Sequence, residues 1–365
     1  LNIFAKGVLF KPKNILIIRF SALGDLVLTT PIFRELKRFF PDAEITLLTS
    51  SGTGSVLNNN PHIDHFIWHK RKETYSELNK LIKKLHKENF DLVYDAHRSL
   101  RSIWIVWNLT RFGFSKTPKT WFISKRSWQR SLLINFKLNF LSNTPSQRQH
   151  LLLPLQNQTS LVLNNHTELF PDPDTVMQIK NFLNKNNLLQ KRYVAIGASA
   201  SYPLKRWPLK YFHELISKLI KQDCPVVLVG GANESENTKL EHDFSGKVIN
   251  AAGKFSPLES AELLRHARIV VTNDTSISHL AEAMQTPAIV FFGPTVGEFG
   301  YPPFLKESKI METKEKLSCR PCSRDGRGKC SNPDKLRCLT SITPEMVLSV
   351  IPELNDQNSE KLNGK

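Results

Sequence analysis

The sequence predicts an α/β protein of two doubly wound, Rossmann-like domains, and three observations lead there. Its 365 residues favour two domains of ordinary size. In both halves, short apolar runs alternate with stretches of helical periodicity, the pattern of parallel strands joined by right-handed crossovers. Residues 163–174, with Asn164-Asn165 and Pro171-Asp172-Pro173-Asp174, have linker composition. We therefore place a basic N-terminal domain at 1–165, a second domain at 175–345, and a helix end with a frayed tail at 346–365.

The first domain opens with an apolar strand at 14–20 and a turn at 21–25. Leu26, Thr30, Phe33, Leu36 and Phe40 then recur at helical spacing until Pro41-Asp42 stops the helix. Strands follow at 44–49 and 92–94, with a helix at 77–88 between them. In the second domain the helices fall at 175–186, 209–221, 234–244, 257–266 and 276–284. Its strands fall at 193–196, 226–229, 248–249, 269–272 and 288–292. Two such domains facing each other are expected to leave a ligand cleft at the carboxyl ends of their strands.

Composition narrows the function. A 40% hydrophobic and 23% charged chain can bury a core, which excludes a disordered, collagen-like or coiled-coil protein. The apolar stretches at 102–109 and 288–292 fall short of the roughly 18 residues that span a bilayer. No secretory signal is read in 1–10, and five cysteines suit a reducing compartment, so a cytoplasmic location is expected.

Charge is unevenly spread. Residues 1–165 carry 24 Lys/Arg against 10 Asp/Glu, whereas 166–365 carry 26 against 23. Between Asp95 and Glu168 no acidic residue occurs, yet Arg98, Arg101, Arg111, Lys116, Lys119, Lys125, Arg126, Arg130, Lys137 and Arg148 do, interleaved with Trp104, Trp107, Trp121 and Trp128. Such a stretch seeks phosphate on a membrane or a nucleic acid, or is simply a solvated cationic face.

Four constellations can carry chemistry. Arg19-Phe20-Ser21-Ala22-Leu23-Gly24-Asp25 puts a carboxylate in the first helical turn beyond a strand end, where it is either a helix cap or a general base. The loop holding Ser199, Ser201 and Lys205 follows a strand; its hydroxyls and ammonium can reach a diphosphate, or it is a surface loop with exposed cations. Asn273-Asp274-Thr275-Ser276-Ile277-Ser278-His279 makes a strand-to-helix elbow whose amides at Thr275, Ser276 and Ile277 can meet phosphate while Asp274 holds sugar hydroxyls. The alternative there is an ordinary N-cap with His279 packed on the helix. Cys319, Cys322, Cys330 and Cys338, spaced C-x2-C-x7-C-x7-C, can hold zinc, but the second C-x2-C pair is missing and free thiols are the stronger expectation. Walker, G-x-G-x-x-G, G-x-S-x-G and H-E-x-x-H motifs are absent, which argues against P-loop, NAD, serine-hydrolase and zincin chemistry.

The run Ile17-Ile18-Arg19-Phe20-Ser21-Ala22-Leu23-Gly24-Asp25 through Pro31 resembles the opening signature of glycosyltransferase family 9, the lipopolysaccharide heptosyltransferases. Asp91-Leu92-Val93-Tyr94-Asp95-Ala96-His97-Arg98, Lys205-Arg206-Trp207-Pro208, Gly230-Gly231, Asn273-Asp274-Thr275, Ser278-His279-Leu280-Ala281 and Phe292-Gly293-Pro294-Thr295 resemble its later motifs in order. The likeness runs from about 14 to 350 and is weak across 105–170. It implies a GT-B fold, an ADP-heptose donor, an anionic lipopolysaccharide inner-core acceptor and inverting chemistry without a metal or other cofactor. By that resemblance Asp25 is the catalytic carboxylate and Lys205 the diphosphate lysine with Ser201 beside it. Asp274 is the donor-sugar aspartate, Thr275, Ser276 and Ile277 supply phosphate amides with His279 adjacent, and Phe255 lies near adenine. Ser276 departs from the family's usual glycine. The cysteine-rich loop resembles one present in some members.

The basic stretch then makes sense as the surface that meets the acceptor or the inner face of the cytoplasmic membrane, through Arg98, Arg101, Lys125, Arg126 and Arg130. Other readings are a related GT-B enzyme using another nucleotide sugar, either a transferase or an epimerase, and, more remotely, a nucleic-acid-binding protein.

Overall fold

The computed structural model describes residues 10–70, 74–111, 117–189, 192–232 and 234–352. These fall into two compact units, drawn from Leu1–Pro173 with Glu298–Pro302 and from Asp174–Gly297 with Pro303–Lys365. Glu298–Pro302 thus returns to the first unit from within the span expected to be wholly second domain. The tail at 353–365 and Lys116 lie outside the described residues.

The first unit runs β1 (Asn14–Ile18), α1 (Leu23–Val27), α2 (Thr30–Phe39), β2 (Glu44–Ser50), β3 (His65–His69), α3 (Tyr75–Lys87), β4 (Leu92–Asp95), α4 (Leu100–Arg111), β5 (Lys119–Phe122), α5 (Ser127–Phe136) and α6 (Gln147–Gln156). Its strands form one parallel sheet in the order β3-β2-β1-β4-β5. β1 is central, and Ile15 to Ile18 are fully buried because both faces of the sheet are covered.

The single helix expected from Leu26 to Phe40 is two helices. Pro31 has no N–H to give the Val27 carbonyl, and the Thr30 hydroxyl bonds that carbonyl instead at 2.9 Å. β3 and β5, absent from the sequence reading, are edge strands in which only alternate side chains are buried.

The second unit runs α7 (Pro173–Lys185), β6 (Val194–Gly197), α8 (Leu209–Lys221), β7 (Val226–Leu228), α9 (Ser235–Asp243), β8 (Ile249–Asn250), α10 (Pro257–Arg265), β9 (Ile269–Asn273), α11 (Ser276–Ala283), β10 (Ala288–Phe292), β11 (Lys309–Glu312), α12 (Arg337–Thr340) and α13 (Pro344–Leu348). Its parallel sheet has the order β11-β10-β9-β6-β7-β8, with β9 and β6 central. Among the described residues no helix is long and apolar enough to cross a membrane.

Trp207 anchors this core. Its ring stacks on Phe291 at 4.5 Å and meets Phe212 edge-on at 4.8 Å, while its indole N–H donates to the Ile342 carbonyl at 2.9 Å. Trp207→Phe keeps much of the packing but leaves that buried carbonyl without its donor. We expect a loss of about 1–3 kcal/mol in urea unfolding, with the sheet signal in circular dichroism unchanged.

Candidate active site

In the first unit the chain leaves β1, turns, and enters α1 with Asp25 as its third residue. Asp25 Oδ2 accepts the Ala22 backbone N–H at 3.2 Å and the Arg19 Nη2 at 2.7 Å. It is therefore a helix cap and one half of an ion pair together, with its side chain 22% exposed. Arg19 is buried, and its second guanidinium nitrogen donates to the Ala96 carbonyl just past β4. Since Ile18 pairs with Asp95 across the sheet, register alone brings Arg19 to that carbonyl.

The β4 turn is built the same way. Fully buried Asp95 accepts the backbone N–H of His97 at 3.0 Å and of Arg98 at 2.7 Å. The His97 ring packs edge-on against Phe20 at 5.1 Å. Burial, reinforced by the Arg19 and Lys125 charges and opposed by Asp25, pushes its imidazole down to about 4, so it is neutral near pH 7. Tyr301, from the returning segment, is pushed up to about 12 by burial and then by the Asp25 charge, against the pull of Arg130 and Arg19. Asp25 is thus paired with Arg19, and its charge reaches a neutral imidazole, His97, and a neutral phenol, Tyr301.

The predicted acceptor cations divide. Lys125 is exposed. The Arg98 guanidinium lies 4.9 Å over the Phe122 ring, and Arg101 meets His69 Nε2 at 2.6 Å. Arg126 donates to the Pro145 carbonyl at 3.1 Å and Arg130 to the Phe299 carbonyl at 2.8 Å. After burial itself, the charges of Arg126 and Arg130 hold His150 down at about 4.

In the second unit Asn273, fully buried at the end of β9, holds the loop after β6. Its Nδ2 donates to the Ala198 and Ser199 carbonyls at 2.9 and 3.2 Å, and its Oδ1 accepts the Trp207 N–H at 2.8 Å. That fixes Lys205, whose Nζ donates to Asp274 Oδ2 at 2.7 Å and to the Asp274 carbonyl at 3.0 Å. The Thr295 hydroxyl, just after β10, reaches the same Oδ2 at 2.9 Å.

Thr275 is the N-cap of α11, and its hydroxyl accepts the Ile277 N–H at 3.4 Å. That amide is satisfied within the turn rather than directed outward. Ser276 opens the helix outside the left-handed region, so serine in place of glycine carries no backbone strain. Ser199 and His279 are buried, and Ser201 is exposed on the loop. Phe255 is half-buried against Phe182, 5.0 Å away, in a turn tied to the Gly230 carbonyl by the Gly253 N–H at 3.0 Å.

The four clustered cysteines line one small cavity with Leu204, Gly293 and Pro294. Among the described residues, no three His, Cys, Asp or Glu side chains are grouped so as to hold a metal ion. Burial, then the neighbouring Cys322, pushes the Cys338 thiol up to about 11. The segment between these cysteines supports the lysine. Gly326, at φ +91°, leaves no room for a Cβ, which would stand 2.7 Å from Lys205 Cγ. Arg327 donates to the Tyr202 hydroxyl at 2.9 Å.

Arg19, His97 and Thr295 fall within the sequence motifs but carry no role there, and Tyr301 lies outside every motif. Arg19 was findable, since a basic residue closing a buried strand needs an acid nearby. Nothing local marks Tyr301, which is far along the chain from Asp25.

The two depressed imidazoles give a test. Each pKa is near 4 folded and near 6.5 unfolded, so below 6.5 the unfolded chain binds more protons. Their contribution is complete above pH 6.5 and is lost as pH falls toward 4. Urea unfolding at pH 7.5 and pH 5 is expected to differ by on the order of 1 kcal/mol or more, and His97→Asn/His150→Asn to flatten that dependence.

The model of glycosyltransferase family 9 (heptosyltransferase) matches residues 78–329. Lipooligosaccharide heptosyltransferase 2 of Haemophilus influenzae is 26% identical over 369 residues, 93% of this chain and 99% of that protein. Among solved structures, a glycosyl transferase family 9 protein of Veillonella parvula superposes with a TM-score of 0.75 at 20% identity, over 94% of this chain and 97% of that one. Escherichia coli ADP-heptose lps heptosyltransferase II gives 0.70 at 21% identity, over 93% and 98%. The shared architecture of two doubly wound domains is GT-B. With the family matched over well more than half its length and its motifs at the strand ends, the chain is a glycosyltransferase and belongs to glycosyltransferase family 9, the heptosyltransferases.

Proposed function

We propose that the chain transfers a heptose from ADP-heptose, with inversion and without a metal, to a hydroxyl of the lipopolysaccharide inner core. The reaction would take place at the inner face of the cytoplasmic membrane, and no nucleic acid takes part. The names of the relatives support the acceptor and donor classes: one is a lipooligosaccharide heptosyltransferase, the other an ADP-heptose lps heptosyltransferase. The observation that carries the donor half is Lys205 paired to Asp274 across the ends of adjacent strands β6 and β9.

In this reading the acceptor oxygen attacks the anomeric carbon from the face opposite the leaving group. The bond from that carbon to the diphosphate oxygen breaks, and Asp25 takes the hydroxyl proton. Arg19 holds Asp25 in one orientation, so the carboxylate acts through placement rather than basicity. Lys205 meets the charge that grows on the departing ADP, which is why no divalent cation is required. Asp274, fixed by Lys205 and Thr295, faces the sugar hydroxyls; Phe255 and its turn lie on the adenine side.

ADP is expected to raise the melting temperature where UDP, GDP and NAD do not. Lys205→Ala should lower ADP affinity by about 10- to 100-fold. Asp25→Asn should leave the ADP shift intact and cut kcat by about 10²–10⁴. A shift with UDP alone would sink the ADP reading, and full turnover in the Asp25 variant would sink the base.

Turnover is expected to survive EDTA, with thiol titration in denaturant returning all five cysteines and metal analysis returning no zinc. Loss of activity on chelation would overturn the metal-free mechanism.

A further inference from the structure

α5 and the loop after it leave large apolar side chains uncovered. Trp128 is 61% exposed, Phe136 68%, Leu138 51% and Phe140 57%. The Trp128 and Phe140 rings lie 6.0 Å apart, so the start of the helix and the end of the loop form one patch. Every residue from 135 to 140 is exposed. Scattered apolar side chains are ordinary on a monomer, but four large ones gathered on a single turn-and-loop mark a contact surface.

Charge indicates what covers it. Lys137 stands between Phe136 and Leu138, and Lys125 and Arg126 precede the helix, in a stretch without an acidic residue from 96 to 167. The acid facing the loop comes from elsewhere in the unit: Glu298 Oε1 accepts the Asn139 amide at 3.3 Å. Aromatic rings and leucine flanked along the chain by Lys125 and by Lys137, whose ammonium donates to the Ile134 carbonyl at 2.8 Å, match the boundary between anionic headgroups and acyl chains, where rings lodge below and ammonium groups sit among phosphates.

We propose that α5 and the 137–140 loop are an insertion anchor for an anionic bilayer, with Trp128, Phe136, Leu138 and Phe140 entering the boundary and Lys125 and Lys137 at its phosphates. The inference rests on the reading above that the acceptor is membrane-borne, and it adds how the protein reaches that acceptor. Insertion differs from purely electrostatic docking in needing the apolar side chains themselves.

The test is co-sedimentation of the full chain with phosphatidylglycerol and phosphatidylcholine vesicles. It compares the wild type, Phe136→Ser/Leu138→Ser/Phe140→Ser, and Val162→Ser, a control at a residue 90% exposed elsewhere in the unit. The wild type and the control should bind the anionic vesicles, and the triple variant should partition about tenfold or more less strongly. Its ADP thermal shift and its transfer to a deacylated, soluble acceptor should be unchanged. Equal partitioning of wild type and triple variant overturns insertion. So does wild-type self-association that the triple variant abolishes with no change in vesicle binding, which would make the patch a protein interface. Failure to bind vesicles with the ADP shift and soluble transfer intact overturns the anchor alone; loss of soluble transfer in the wild type overturns the transferase reading instead.

Discussion

The second unit of this molecule depends on one buried amide. Asn273 sits fully buried at the end of β9, and its three hydrogen bonds satisfy two carbonyls after β6 and the N–H of Trp207. A parallel sheet leaves such groups at the carboxyl edge of every strand, and each must find a partner or incur the cost of burying a polar group unpaired. By answering three of them at once, Asn273 gives the loop from Ala198 to Trp207 one conformation. Lys205 reaches Asp274 because that loop cannot go elsewhere, and Trp207, clamped at its backbone and its indole, ties the loop to the core beneath.

The first unit meets the same constraint with a charge. Arg19 closes the central strand β1, where a buried guanidinium is tolerable only if its donors are used. One goes to the Ala96 carbonyl beyond the neighbouring strand and another to Asp25. Asp25 in turn caps the short helix that Pro31 separates from α2. The charge of Asp25 also reaches His97 and Tyr301, and both of those rings stay uncharged near neutrality.

The strands and helices of the second unit from α7 to β10 were legible because most are bounded by their own chemistry. Leu209–Lys221 follows Pro208, and Ala288–Phe292 is an apolar run between Pro287 and Gly293. β3, β5 and β11 were not, since an edge strand buries only alternate residues and Lys309-Ile310-Met311-Glu312 hides Met311 alone. α4 to α6 were lost for another reason: cations interleaved with tryptophan resemble a surface stretch, while Ile105, Val106 and Leu109 pack inward from that same stretch. At the sites, the motif residues were readable as residues, but their pairings were not. The Lys205–Asp274 contact is set by which strands are neighbours, and the approach of Tyr301 to Asp25 by a segment that returns to the first unit over a long sequence distance.

On the proposed reading, the Lys205–Asp274 pairing lets one site hold both a carboxylate for sugar hydroxyls and a diphosphate. Placed alone beside a diphosphate, Asp274 would repel it, in a setting where both side chains are largely shielded from water and screening is weak. Lys205 removes the conflict. Its ammonium has three donors, of which two are spent on the Asp274 carboxylate and carbonyl, so the third can reach a phosphate oxygen without breaking the pair. Removing the lysine costs more than one hydrogen bond, since it exposes the ligand to the carboxylate the lysine had neutralised. Arginine is a poor substitute, because its planar fork would have to serve two oxygens at fixed angles where a rotatable ammonium serves three. The glycine at 326 belongs to the same requirement: it leaves space for the lysine stem, which then packs against the cysteine-bearing segment while the ammonium stays on Asp274.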